Sequence, residues 1–277
     1  MGSTPVGTEF TFRYVGGAPR KYISTYQEDE CHDKILLKLA KLHFNALQKQ
    51  HKQELSHLSK WWKDVDIVSK CPYARDRLVE GYFWALALYY EPYYSRGRKF
   101  FTMGVVYISV LDDTYDAYGT ADELELITES INRFDTSLFE QMPPYAREIC
   151  QMVFGVYSVM EEDLLKDGNG AHLPCVKEAM KLIVRSYHNE YLWLKKNLIP
   201  TMDEYTQQSF SSSAITTLLI FSLAAMGDIV TKAALDWILS APKFVIAAQG
   251  IGRFLDDIVS HEFEQQRQHI PSAVPPP

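Results

Sequence analysis

Apolar residues recur along the chain at three- and four-residue intervals: Ile35, Leu36, Leu39, Leu42 and Leu47 in one stretch, Met152, Val153, Val156, Val159 and Met160 in another. That spacing lines one face of a helix; a strand would alternate every second residue. Proline, which breaks helix interiors and sheet ladders, leaves residues 20 to 71, 93 to 142, 145 to 173, 175 to 199, 201 to 241 and 243 to 270 uninterrupted. Thr120-Ala-Asp-Glu123 and Thr201-Met-Asp-Glu204 read as capping boxes in front of helical runs, and Gly119 is placed to end the helix before the first of them. Alternating strand patterns do not occur. The pattern predicts an all-α protein of roughly ten helices.

Composition narrows this to a globular chain. Of 277 residues 47% are hydrophobic and 23% charged, the averages of folded domains, and the length suits one domain with its own core. The formal charge of -7 argues against a dominant nucleic-acid surface. Cys31, Cys71, Cys150 and Cys175 lie too far apart for a zinc knuckle or a redox motif, so free thiols are expected. The uncharged run from Tyr205 to Gly227 opens on Thr206-Gln-Gln-Ser-Phe-Ser-Ser-Ser213, too polar for hydrocarbon, and reads as a buried core helix with a polar entry. The N-terminus has no signal-peptide core and is not Arg-rich, which makes a cytoplasmic protein with no membrane span the expectation. Residues 1–18 are aperiodic and rich in Gly, Thr and Pro and are expected to be disordered; residues 19–274 form the domain, and Pro275-Pro276-Pro277 a stub. The eight histidines show no ligand spacing and are expected at the surface or as caps.

Candidate chemistry sits in two acidic clusters. In Val110-Leu-Asp112-Asp113-Thr-Tyr-Asp116, at the end of the apolar run from Phe100, Asp112 and Asp116 stack one turn apart on a helix while Asp113 turns about 100° away. Stacked carboxylates repel unless a cation lies between them. In Arg253-Phe-Leu-Asp256-Asp257-Ile-Val-Ser260-His-Glu-Phe-Glu264, the residues Asp256, Ser260 and Glu264 follow at i, i+4 and i+8 along one face. Oxygen-only donors favour a hard ion, and Mg²⁺ keeps several waters and is completed by phosphate oxygens, so two sparse clusters suit a diphosphate held between them. Arg75 and Arg77, flanking Asp76, and Arg253, one turn before Asp256, could hold the phosphate oxygens.

On these residues the chain resembles the class I terpene synthases of plants. Asp112-Asp113-Thr-Tyr-Asp116 matches that family's first metal motif, Asp256-Asp257-Ile-Val-Ser260-His-Glu-Phe-Glu264 its second, and Arg75-Asp76-Arg77 its Arg-x-Arg; Arg20-Lys-Tyr-Ile-Ser24, Tyr82-Phe-Trp84 and Pro200-Thr-Met-Asp-Glu-Tyr205 are also similar. The resemblance implies a helical bundle around an apolar cavity. It also implies three Mg²⁺ ions, with Mn²⁺ as the other candidate, held by Asp112, Asp116, Asp256, Ser260 and Glu264. Arg75, Arg77 and Arg253 would steady the diphosphate alongside Asp112, Asp116 and Asp256. Trp84 would present its ring to a cation, and a kinked helix near Ser211 to Thr217 would turn carbonyls toward it.

The implied reaction is ionisation and cyclisation of a prenyl diphosphate, farnesyl diphosphate above geranyl, to a sesquiterpene. Asp112, Asp116, Arg253 and Trp84 would be its catalytic residues. Members of this family carry a large helical domain before this region and further helices after the second motif. The bundle is therefore expected to be incomplete at its C-terminal end, and a catalytically inactive isoform that self-associates through exposed apolar surface is the alternative. A chain-elongating prenyl transferase fits less well, because Asp256-Asp257-Ile-Val-Ser260 has serine where such enzymes need a third aspartate.

Overall fold

The computed structural model describes residues 18–264 and 272–274, with side chains from residue 20 to residue 261 and again at 272–274. The expectations for residues 1–17 and for the Pro275–Pro277 stub lie outside the described residues.

Twelve α-helices follow one another among the described residues, with short 3-10 turns and no strand between them. They are α1 (Ala18–Glu28), α2 (Lys34–Val65), α3 (Ile67–Lys70), α4 (Leu78–Leu88), α5 (Ser95–Ala117), α6 (Ala121–Arg133), α7 (Pro144–Lys166), α8 (Leu173–Lys195), α9 (Met202–Ser212), α10 (Ile215–Ala224), α11 (Lys232–Leu239) and α12 (Lys243–Glu264). The all-α expectation holds; the excess over ten comes from short helices such as α3 and from a break in the segment read as one helix.

Helix α5 is the axis of the bundle. It packs against α4, α7, α8 and α10, and from Phe100 to Leu111 every residue is buried. Its C-terminus is cut short at Gly119, whose N–H donates to the Thr114 carbonyl at 2.8 Å. A Cβ there would come within 2.4 Å of Leu124 at the start of α6, so only glycine admits the close turn. Both predicted capping boxes are present, at Thr120–Glu123 and Thr201–Glu204. The Met152 to Met160 stripe of α7 is in the core, with Val159 at its edge.

A buried ion pair ties α2 and α4 to α5. The Arg98 guanidinium, fully buried, donates to both Glu54 oxygens at 2.8 Å and to the Tyr89 and Glu91 carbonyls, while the Tyr82 hydroxyl donates to Glu54 at 2.9 Å. Burial alone would raise the Glu54 carboxyl, yet these hydrogen bonds and that from Gln50 hold it at about 2.

Three expectations are corrected. The Tyr205 to Gly227 run is two helices, because Ser213 leaves α9 and Ala214 adopts φ 64°, a left-handed conformation that costs a residue with a Cβ about 1 kcal/mol. The apolar stripe of α2 makes a helix but not a core: Ile35, Leu36, Leu39 and Leu42 are exposed. His188, expected at the surface or as a cap, is buried and meets Glu125 at 3.0 Å, whereas His172, also buried, does cap α10 through the Ala224 carbonyl at its end.

Candidate active site

The two acidic clusters converge. Asp112 and Asp116 lie on the last turns of α5 and Asp256 on α12, and the charges of Arg253 and Asp256 both act on Asp112. Beneath them is the Tyr187 phenol of α8, buried and within the electrostatic reach of Asp112, Asp116, Arg253 and Glu190. Removal from bulk water pushes the Asp112 carboxyl up to about 6; Arg75 and Arg253 pull it down, and Asp113 and Asp256 push it up. A carboxyl crowded by other carboxylates is poised to exchange its proton for a cation.

Asp113, turned away from Asp112 and Asp116 by helix geometry, has partners that its spacing did not reveal. It accepts the Arg75 backbone N–H and Nε, both at 2.8 Å, and the Arg75 Nη2 at 2.7 Å, while that same Nη2 reaches Asp112 at 3.3 Å. The loop before α4 is thereby fastened to the end of α5. Tyr73 reinforces it, stacking on Tyr118 at 3.8 Å and meeting the Thr114 hydroxyl at 3.0 Å. Arg77 sits at the N-terminal boundary of α4, 3.9 Å from Glu80.

On α12, Arg253 stands 3.6 Å from both Asp256 and Asp257, and its Nε is buried without a hydrogen-bond partner. A buried guanidinium edge without an acceptor calls for an anion. The Ser260 hydroxyl donates to the Asp256 carbonyl at 2.9 Å, and Glu264 closes the helix with its side chain outside the described residues. Spacing placed Asp257 only as a helical neighbour of Arg253. It is buried and accepts the Tyr205 hydroxyl at 2.5 Å and the Ala273 N–H at 3.0 Å.

Glu190 of α8 was missed as well. It is buried, accepts from the Ser212 hydroxyl at 2.5 Å, and burial pushes it up to about 7 against the pull of Arg253. A signal existed: Glu190 continues the buried stripe Val176, Met180, Ile183, Tyr187, where an ionisable residue is out of place.

A small apolar cluster separate from the main core consists of Ala85, Phe101 and Val105, with Trp84 and Leu218 packed on it. The Trp84 Nε1 is buried without a partner. Trp84 lies on α4, packed on the Ala85, Phe101 and Val105 cluster. A cavity of about 710 Å³ lies elsewhere, between α2, the start of α5 and the end of α7, and is lined by Trp61, Tyr94, Lys99 and Asp163. Lys99 is some 20 Å along α5 from Asp112.

Among the described residues no three His, Cys, Asp or Glu side chains gather tightly enough to hold a metal ion by themselves. The donor set nevertheless fits Mg²⁺: carboxylates and one hydroxyl, sparse enough to leave positions for water and phosphate, beside a guanidinium edge awaiting an anion. Arg75 offsets part of the negative charge of Asp112 and Asp113.

Residues 63–275 match the terpene synthase family, metal binding domain, and the chain belongs to that family. It is 49% identical over 255 residues to (-)-germacrene D synthase of Vitis vinifera, a match that covers 92% of this chain and 46% of that protein. Valencene synthase of Vitis vinifera is 46% identical over the same shares. Among solved structures, isoprene synthase from grey poplar leaves in complex with three Mg²⁺ ions and dimethylallyl-S-thiolodiphosphate superposes with a TM-score of 0.80 at 30% identity, over 88% of this chain and 47% of that one. Limonene synthase with 2-fluorolinalyl diphosphate gives 0.82 at 27% identity, over 91% and 47%. The chain thus spans about half the length of the relatives it matches. No helix among the described residues is long and apolar enough to cross a membrane.

Proposed function

We propose that this chain carries the ionising end of a sesquiterpene synthase, converting a prenyl diphosphate, farnesyl diphosphate in first place, to a cyclised hydrocarbon or alcohol with release of diphosphate. The observation that carries it is the convergence of Asp112 and Asp116 with Arg253 and Asp256. The names of the relatives, germacrene D and valencene synthases, favour the C15 substrate, and the three Mg²⁺ ions of the poplar enzyme favour magnesium.

In this reading Asp112 and Asp116 hold one group of ions and Asp256, Ser260 and Glu264 another. Bound there, Mg²⁺ supplies Lewis-acid stabilisation of the departing diphosphate. Arg253 offers its unpartnered Nε to a phosphate oxygen, and Arg75 and Arg77 close over the same group. The C–O bond breaks with its electron pair going to the diphosphate, leaving an allylic cation in the apolar lining. Trp84 can face that cation with its π cloud. The last carbonyls of α9, which a helix end leaves without helical partners, can do so with their negative ends. The lining excludes the water that would quench the cation. Incubation of the purified chain with farnesyl or geranyl diphosphate and Mg²⁺ should give a terpene by gas chromatography, abolished in Asp112→Ala; a variant as active as the parent would overturn the site.

A second reading rests on another observation, the large apolar area left open on α12: the chain turns nothing over and associates with itself. It predicts no product with either diphosphate and an assembly larger than a monomer, in a cytoplasmic setting.

A further inference from the structure

Both oxygens of the Asp113 carboxylate are committed to one residue. Oδ2 accepts the Arg75 backbone N–H at 2.8 Å, while Oδ1 accepts Nε at 2.8 Å and lies 2.7 Å from Nη2, so the main chain and the Nε side of the guanidinium are gripped together. Of the five guanidinium N–H groups, the Nε one and one on Nη2 go to Asp113, and Nη2 also reaches Asp112 at 3.3 Å. The Nη1 pair meets no acceptor among the described residues, and the Arg75 side chain is 52% exposed. The end of the guanidinium plane, the edge that binds phosphate oxygens two at a time, is therefore the edge turned toward Asp112 and open to a ligand.

The loop that carries Arg75 has other anchors. On one side of it Tyr73 stacks on Tyr118 at 3.8 Å and meets the Thr114 hydroxyl at 3.0 Å; on the other, Asp76 accepts the Trp62 Nε1–H at 3.1 Å and the Leu78 N–H at 3.2 Å. With both flanks tied down, the distinctive effect of the Asp113 contact is on the direction of the guanidinium.

We propose that Asp113 is a positioning residue for diphosphate: it aims the open edge of Arg75 at the phosphate groups bound beside Asp112, and it takes no part in holding the ion. It rests on the reading of Asp112 as an ion-holding carboxylate and says what keeps the arginine aimed there. Two observations separate Asp113 from the ion-holding carboxylates. Its oxygens already face three N–H donors and its side chain is only 13% exposed, against 36% for Asp112. Helix geometry also turns it about 100° from Asp112. The gain is one of preorganisation: a long arginine side chain loses rotamer freedom when an anion fixes it, and one already fixed by a carboxylate has lost that freedom on folding.

Charge alone makes the opposite prediction, because a carboxylate near a diphosphate repels it and neutralising it should tighten binding. The sign of the effect is therefore the test. Calorimetry on the whole chain with Mg²⁺ and inorganic pyrophosphate should show Asp113→Asn, which keeps the shape and removes the charge, binding about tenfold more weakly than the parent. In the Arg75→Ala background, with no guanidinium left to aim, the same substitution should leave the affinity unchanged or raise it. Mn²⁺ added without pyrophosphate and followed by electron paramagnetic resonance should bind Asp113→Asn as it binds the parent. Binding that is equal or tighter in Asp113→Asn, an equal loss in the Arg75→Ala background, or a loss of Mn²⁺ binding that matches the loss of pyrophosphate would overturn the role of Asp113 and leave the site reading intact. A parent that binds no pyrophosphate, or an Asp112→Ala variant that binds it as the parent does, would overturn both.

Discussion

The two helices that carry the acidic clusters differ in what surrounds them. Helix α5 is enclosed on all sides, and Asp112 and Asp116 emerge from a segment whose every neighbour is fixed. Among the described residues, helix α12 is held by α9 and α10, and its outer residues are open. One half of the site is therefore positioned by the core of the domain. The other is positioned by half a core, and its precision depends on what covers the outer face.

The same substitution made on both helices should show the contrast at its largest. Leu111→Ala, in the closed core of α5, should cost about 2 to 5 kcal/mol of unfolding free energy, while Leu255→Ala should change it by less than about 0.5 kcal/mol at concentrations that keep the chain monomeric. Urea titrations of the two variants measure both. Similar losses would mean that α12 is as enclosed as α5.

Glu190 lies between the two helices and gives a pH signature. Its carboxyl is raised in the folded chain to about 7, so the native state holds a proton that the unfolded chain gives up above its ordinary value near 4.5. Its contribution is full below that value and is lost as pH rises through 7. Glu190→Gln should therefore match the parent at pH 4.5 and be the more stable by about 3 kcal/mol at pH 8, measured without metal. A difference independent of pH would put the Glu190 proton elsewhere.

The smallest effect concerns the second cluster alone. Ser260→Ala removes one neutral donor and should weaken Mg²⁺-pyrophosphate binding about tenfold, roughly 1.4 kcal/mol, by calorimetry, with unfolding unchanged. An unaltered affinity would remove the serine from the ligand set.

Much of this was legible in the sequence, and the gaps have physical reasons. Capping boxes and proline spacing are local, so α6 and α9 start where the residues say they should. The two acidic motifs are also local, each a repeat along one helix. What periodicity cannot supply is the identity of the opposing surface. It marked the stripe of Ile35 to Leu42 without showing that nothing among the described residues covers it. It turned Asp113 away from Asp112 and Asp116 without showing that the Arg75 loop waits there. Glu190 and Asp257 gain their meaning from Ser212, Tyr205 and Ala273, partners from 16 to 52 positions away.

The hydrogen bond from the Ala273 N–H to Asp257 places a rule on the composition of the tail. Residues 271 to 277 read Pro-Ser-Ala-Val-Pro-Pro-Pro, and proline has no N–H to give. The three non-proline positions in that run are the ones that hold the donor, and the Ser272 hydroxyl, bonded to the Val274 carbonyl at 3.1 Å, spans the same window. Proline at position 273 would take that amide from the buried Asp257 carboxylate and leave it the Tyr205 hydroxyl and Arg253.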